Sequence, residues 1–169
     1  MILDFSLTEV MRLSNIKRWG IIEMSREQSV AEHSYNVAMI SMAIYKNLEF
    51  DGPINESQLI CWALYHDLPE LYTGDIPTPV KKYLDLDSFD NEVLPLYAGI
   101  KQLHRDSVID QIVKAADYIE AIQFAEKFCV DSRGPEIIRD IQKNMTIFLS
   151  SKCDVLVAAA VEKVLDEQA

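Results

Sequence analysis

The sequence lacks most of the features that would place it outside the small helical proteins. Its 169 residues hold no apolar run close to the roughly 20 residues that a membrane span needs. The most apolar stretch, Val155 to Val161, is closed at once by Glu162 and Lys163 and reads as a buried helix or a subunit contact. The opening MILDFSLTEV has no basic leader, so no secretory signal is expected. Cysteines are few (Cys61, Cys129, Cys153), widely spaced and never arranged C-x-x-C. That usage implies free thiols and a cytoplasmic location. Positive charge is scarce: 16 Lys and Arg face 27 Asp and Glu, a formal net charge of −11. Such a balance argues against duplex nucleic acid as a partner. It also obliges an anionic substrate site to gather cations locally or to use a metal. Repeats, low-complexity segments and linkers are missing, so a single domain over 1–169 is expected.

Alternation of the β type is rare, and helical periodicity dominates. It predicts a first helix over about 4–17 and a second from the Ser29 cap to about Leu48, opened by the capping-box pattern Ser29-Val-Ala-Glu32. A third is predicted from Asn55 through about Tyr72, closed by Gly74. Next comes a short helix with Thr78 as N-cap and Pro79 as its first residue. Further helices are predicted over about 88–104, 107–129, 135–149 and 153–167. Short connections between many amphipathic helices imply an all-α bundle.

Turning each helix by about 100° per residue places polar side chains on apolar stripes. His33 shares a stripe with Val30, Val37, Ile40, Ile44 and Leu48. Asp67 lies among Ile60, Ala63, Leu64, Leu68 and Leu71. Asp117 and Glu120 fall in or beside the face of Ile109, Val113, Ala116 and Phe124. A buried carboxylate is costly unless it is paired, hydrogen-bonded or metal-bound. Each residue alone has an ordinary explanation, as a satisfied core histidine or as an ion-pair partner of Arg12, Arg18 or Lys114. Together, with His66 and Glu70 flanking Asp67 at helical spacing, they also fit one shared divalent cation.

The arrangement His33 … His66-Asp67 … Asp117 resembles the signature of HD-domain phosphohydrolases. The surrounding segments are more specific: Ile16-Lys-Arg-Trp19, Ala31-Glu-His-Ser34, Tyr65-His-Asp67 with Glu70, Thr73-Gly-Asp-Ile-Pro-Thr-Pro-Val80 and Lys114-Ala-Ala-Asp117. They are similar to those of bacterial 5′-deoxynucleotidases and their compact phage relatives that hydrolyse dATP. The resemblance spans roughly 10–125, leaving C-terminal helices over about 135–167. It implies an HD-domain helical bundle with His33, His66, Asp67 and Asp117 as metal ligands. It further implies that Asp67, Glu70 and Arg18 serve in the hydrolysis step, Arg18 also holding the phosphate beside the scissile bond. Trp19 would pack against the nucleoside, Ile21 against a base edge, and His33 and the stretch Asp75, Ile76, Pro77 and Thr78 against the substrate.

Two imidazoles with two carboxylates suit Zn²⁺, Mn²⁺, Co²⁺ or Fe²⁺ better than an all-oxygen site does, with Mg²⁺ as an optional second ion. Lys81 and Lys82 occupy the first turn of the short helix, where the helix dipole disfavours cations. Lys81 is therefore read as a polyphosphate contact and Lys82 as that or a solvated lysine. Glu120 has no role in the resemblance and is read as a hydrogen-bonded support. Lys114 pairs with Asp117 or faces solvent.

The short segments between ligands resemble those of the compact phage enzymes more than the longer bacterial nucleotidases, which implies release of triphosphate from dATP, the alternative being release of phosphate from deoxynucleoside monophosphates. Di-iron oxygenation would need extra histidines, and only His104 stands between the HD pair and Asp117. A non-catalytic nucleotide-binding module is opposed by the retained Glu70 and Arg18. Relatives of this size assemble, so a homo-oligomer is expected.

Overall fold

The computed structural model describes residues 7–50, 52, 54–86, 88 and 107–167. A short helix α1 (Leu7–Met11) tightens into a 3-10 turn over Arg12–Asn15. The predicted first helix thus ends early, and its residues 4–6 lie outside the described ones. The cause is tertiary. Ile16 is extended, its carbonyl accepts the Val30 amide at 3.0 Å, and the Arg18 amide donates to the Gln28 carbonyl at 2.9 Å. Pairing with 28–30 pulls residues 16–18 out of the helix and makes them a strap.

Helix α2 (Val30–Lys46) opens where predicted, with Ser29 Oγ accepting the Glu32 amide at 3.1 Å. The Glu32 carboxylate turns to Arg26 instead of completing the capping box. Asn55 caps α3 in the same way, through the Gln58 amide at 3.1 Å.

Helix α3 (Glu56–Tyr65) stops seven residues short of the predicted end at Tyr72. Pro69 is the reason: it has no amide for the Tyr65 carbonyl and its ring crowds that group. The chain crosses the break in tight turns, Leu68 N to Tyr65 O at 2.9 Å and Glu70 N to Asp67 O at 3.0 Å. It resumes as α4 (Glu70–Thr73), which ends at Gly74 with φ +68° and ψ 174°, a conformation that needs glycine. Helix α5 (Thr78–Lys81) has Pro77 as N-cap, with no side-chain cap bond, so it begins one residue earlier than expected.

The predicted helix over 88–104, with His104, falls almost wholly outside the described residues. Helix α6 (Val108–Phe128) starts at Ser107, whose hydroxyl accepts the Asp110 amide at 3.2 Å. Helices α7 (Gly134–Ser151) and α8 (Val155–Asp166) complete the described chain. No described helix is long and apolar enough to cross a membrane.

Helices α2, α3, α6, α7 and α8 share one core, including Val37, Ile44, Leu59, Ala63, Ile112, Ala116, Ile119, Met145, Val157 and Val161. Each large aliphatic buried there contributes about 1.5–3 kcal/mol of transfer free energy. On α3 the buried line runs through Leu59 and Ala63, whereas Ile60 is half-buried and Leu64 is exposed. The predicted stripe assumed one straight helix. Once it breaks at Tyr65, Leu68 and Leu71 need not align with α3, and they join Leu13 and Val30 in a second cluster. That cluster fastens the 3-10 turn and α4 against the start of α2, and so holds the break in place.

Candidate metal centre

Three elements deliver the predicted ligands to one place. His33 sits one turn into α2 and is fully buried. His66 and Asp67 occupy the break between α3 and α4, and Asp117 comes from the middle of α6. His33 Nε2 lies 3.4 Å from Asp67 Oδ2 and 3.4 Å from Asp117 Oδ1. His66 Nε2 lies 3.4 Å from Asp67 Oδ2. His33, His66 and Asp117 each offer a ligand atom within 4.8 Å of the others. Four donors around one ion at metal–ligand bonds of about 2.1 Å stand about 3.4 Å apart in a tetrahedron. The spacing fits.

The imidazoles are already oriented for ligation. His66 Nδ1 donates to the Ala63 carbonyl at 2.8 Å, and His33 Nδ1 to Glu120 Oε2 at 2.7 Å. Both Nε2 atoms are buried without a hydrogen-bond partner among the described residues. Such buried polar atoms are costly unless something satisfies them. A divalent cation meets that need, and the donor set of two nitrogens and two carboxylates suits a borderline ion.

Electrostatics lead the same way. Burial and the Arg18 guanidinium push the His33 imidazole down, but the carboxylates of Asp117, Asp67 and Glu120 outweigh them and hold it up at about 10. Burial lowers His66, against the pull of the Asp67 and Asp117 carboxylates. Asp67 and Asp117 are held well below the ordinary carboxylate range against the cost of burial, Asp67 chiefly by His66 and Asp117 chiefly by Lys114. The cluster is rich in negative charge and short of a cation.

Beside it lies a cleft of about 360 Å³, open to solvent, lined by His66, Asp67, Glu70, Ile76 and Lys81. Glu70 Oε2 is buried there without a hydrogen-bond partner among the described residues, and Lys81 Nζ stands 3.9 Å from Glu70 Oε1. Burial, with the charges of Asp67 and Asp75, raises the Glu70 carboxyl to about 9, so it holds a proton at neutral pH. Pro69, Thr73 and Leu86 also line the cleft, and nothing in the helical pattern singled them out.

The strap brings Arg18 to the centre. Its Nη1 lies against His33 Nδ1 and 3.1 Å from Glu120 Oε2, and its Nη2 is 4.0 Å from Asp117 Oδ1. Trp19 is half-buried, stacked on Phe124 at 6.2 Å and 11°, with Nε1 donating to Gln28 Oε1 at 3.0 Å. Asp75 accepts the Trp19 amide at 3.1 Å. Ile21 and Thr78 are exposed, Ile76 and Pro77 half-buried. Arg12 pairs with Glu9 at 2.6 Å in an exposed ion pair, while Lys114 does reach Asp117, at 2.7 Å. Gln28 and Asn36, which hydrogen-bond to Glu120, were not identified from the sequence. Asn36 had a signal, since it lies three positions after His33 on one face of α2; Gln28 had none.

Comparison with known proteins agrees with this picture. The family model described as 5′-deoxynucleotidase YfbR-like matches residues 6–92. A 5′-deoxynucleotidase of Enterobacter sp. (strain 638) is 33% identical over 120 residues, 70% of this chain and 57% of that protein. The 5′-deoxynucleotidase YfbR of Escherichia coli (strain K12 / DH10B) is 35% identical over 103 residues, 60% of this chain and 49% of the relative. The chain therefore spans about half the length of the curated relatives it matches.

Among solved structures, the HD phosphohydrolase DatZ of cyanophage S-2L, bound to dA and one catalytic Zn²⁺ ion, aligns with a TM-score of 0.81 at 24% identity, covering 98% of both chains. An HD-domain phosphohydrolase of Listeria innocua aligns at 0.67 and 21% identity, over 95% of this chain and 84% of that one. The all-α arrangement is the HD-phosphohydrolase fold.

Proposed function

Because the chain belongs to the YfbR-like 5′-deoxynucleotidase family, we propose that it is a metal-dependent phosphohydrolase cleaving the 5′ phosphate ester of deoxynucleotides. The observation that carries this reading is the pair of buried, unpartnered Nε2 atoms of His33 and His66, each 3.4 Å from Asp67. His33, His66, Asp67 and Asp117 hold the ion, taken as Zn²⁺, Mn²⁺ or Co²⁺. When bound, it supplies Lewis-acid stabilisation of charge on the phosphoryl group.

The protein's own groups do the rest. Arg18 presents its guanidinium to the phosphate next to the scissile bond, where bidentate geometry favours it over lysine. As water attacks phosphorus and the P–O5′ bond breaks, Glu70, in the wall of the cleft, donates a proton to the departing 5′ oxygen, and the water's own proton leaves to solvent. The Trp19 ring and Ile21 border the nucleoside, together with the stretch Asp75, Ile76, Pro77 and Thr78, which Asp75 ties to the Trp19 amide. Together Arg18 and Lys81 offset the acidity of the chain where the substrate binds.

Two substrate forms follow. Release of triphosphate from dATP is favoured by the short inter-ligand segments, which resemble those of the compact phage enzymes, and by Lys81, a cation that lines the cleft in addition to Arg18 at the metal centre. Release of one phosphate from deoxynucleoside monophosphates is favoured by the relatives' named activity. A release assay across all dNMPs and dNTPs with Zn²⁺, Mn²⁺ and Co²⁺ separates them. Triphosphate from dATP alone supports the first, and phosphate from several dNMPs supports the second. No turnover with any substrate or metal rejects the enzymatic reading.

A further inference from the structure

Glu120 stands outside the ligand set, yet four side chains of the site and its surroundings meet on it. It lies one turn after Asp117 on α6 and is 3% exposed. Four donors converge on its two oxygens. Oε2 accepts from His33 Nδ1 at 2.7 Å and from Arg18 Nη1 at 3.1 Å; Nη1 also lies against Nδ1, and because a guanidinium only donates, both hydrogens turn to the carboxylate that they share. Oε1 accepts from Gln28 Nε2 at 2.5 Å and Asn36 Nδ2 at 3.0 Å. Gln28 in turn holds the Trp19 indole, at 3.0 Å. A carboxylate offers about four acceptor positions, and here all of them are used.

We propose that Glu120 is a positioning residue: its carboxylate fixes His33 as the Nδ1–H tautomer, so that only Nε2 faces the metal, and the same carboxylate clamps Arg18 beside it. The inference rests on the metal-centred function proposed above. An acceptor on one ring nitrogen decides which nitrogen is left to bind a metal. The rigid α6 backbone places Glu120 three residues from Asp117, so one helix face sets both a ligand and the orientation of its neighbour. General polar packing would not require this chemistry. A neutral amide would fill the same space, but its single acceptor oxygen cannot serve four donors, and its NH₂ would face two of them.

The test is Zn²⁺ affinity of the full chain by competition titration, wild type against Glu120→Gln, with circular dichroism to show that the variant is folded. In parallel, long-range ¹H–¹⁵N NMR on histidine-labelled protein reads the tautomer, which only three histidines make tractable. The wild type is expected to show His33 as Nδ1–H with Nε2 on Zn²⁺. The variant is expected to lose about 10–100-fold in affinity and to show mixed His33 tautomers. Unchanged affinity in folded Glu120→Gln overturns the role of Glu120 and leaves the proposed function standing. His33 bound to Zn²⁺ through Nδ1 in the wild type overturns it without any variant. A wild type that takes up no Zn²⁺, Mn²⁺ or Co²⁺ overturns both.

Discussion

The Trp19 amide donates to Asp75 Oδ2 at 3.1 Å, which fastens a tryptophan of φ +66° to the loop that precedes α5. A bulky residue in the left-handed region costs about 1–2 kcal/mol and persists only where its surroundings impose it. Here the Ile22 amide bonds the Trp19 carbonyl at 2.9 Å, Gln28 holds the indole, and Phe124 stacks on the ring. The sharp turn leaves Arg18 at Glu120 while its neighbour Trp19 spans to Asp75.

Asp75→Ala removes the acceptor of that amide. The loss is expected to cost about 1–3 kcal/mol, and each kcal/mol lowers Tm by about 2–4 °C for a chain of this size. The turn at Trp19 loosens, so KM for a deoxynucleotide rises more than kcat falls. Thermal melts and steady-state kinetics on the same preparation check both parts. An unaltered Tm with wild-type KM would show that the bond holds nothing in place.

Pro69→Ala tests the break between α3 and α4. Alanine restores the amide that α3 lacks and allows a continuous helix through His66 and Asp67. The variant is expected to stay folded, to gain helical signal, and to bind Zn²⁺ at least about tenfold more weakly, the scale on which misplaced ligand geometry acts. Equal metal affinity in both proteins would mean that the second apolar cluster alone holds the turn.

Local chemistry was legible in the sequence, and long-range chemistry was not. Ser29 and Asn55 mark helix starts because a cap is made within three residues. His33 was placed in the core by its stripe, and it is fully buried. The third helix was drawn through Pro69 because the apolar period continued past it, although the missing amide was visible all along. Leu64 was misplaced for the same reason. The first helix was drawn too long because its end is set by pairing with residues 28–30, which periodicity cannot register. The four proposed ligands come together through packing of α2 and α6 around the break. The hub at Glu120 needs distances that no spacing encodes.

Chelation should destabilise the protein if the centre holds an ion in the folded state alone. An ion at 100 times its Kd adds about 2.7 kcal/mol, so stripping it should lower Tm by about 5–11 °C. Adding back Zn²⁺, Mn²⁺ or Co²⁺ restores the transition, whereas Mg²⁺ alone does not, because two imidazoles serve a hard ion poorly. Differential scanning fluorimetry with and without chelator gives the answer. The same melt on His33→Ala should show no response to either treatment.

The bond between His33 and Glu120 closes 87 positions of chain, and that between Arg18 and Glu120 closes 102. Contacts of such separation form only after α6 has been made and docked, because the entropy of closing the loop is lost before any contact rewards it. During synthesis the strap, α2 and the break therefore emerge with their histidines unpaired to any partner on α6. Catalytic competence should arrive late and all at once as α6 docks, not residue by residue. A nascent chain that stalls before Asp117 would carry three of the four ligands and none of the hub.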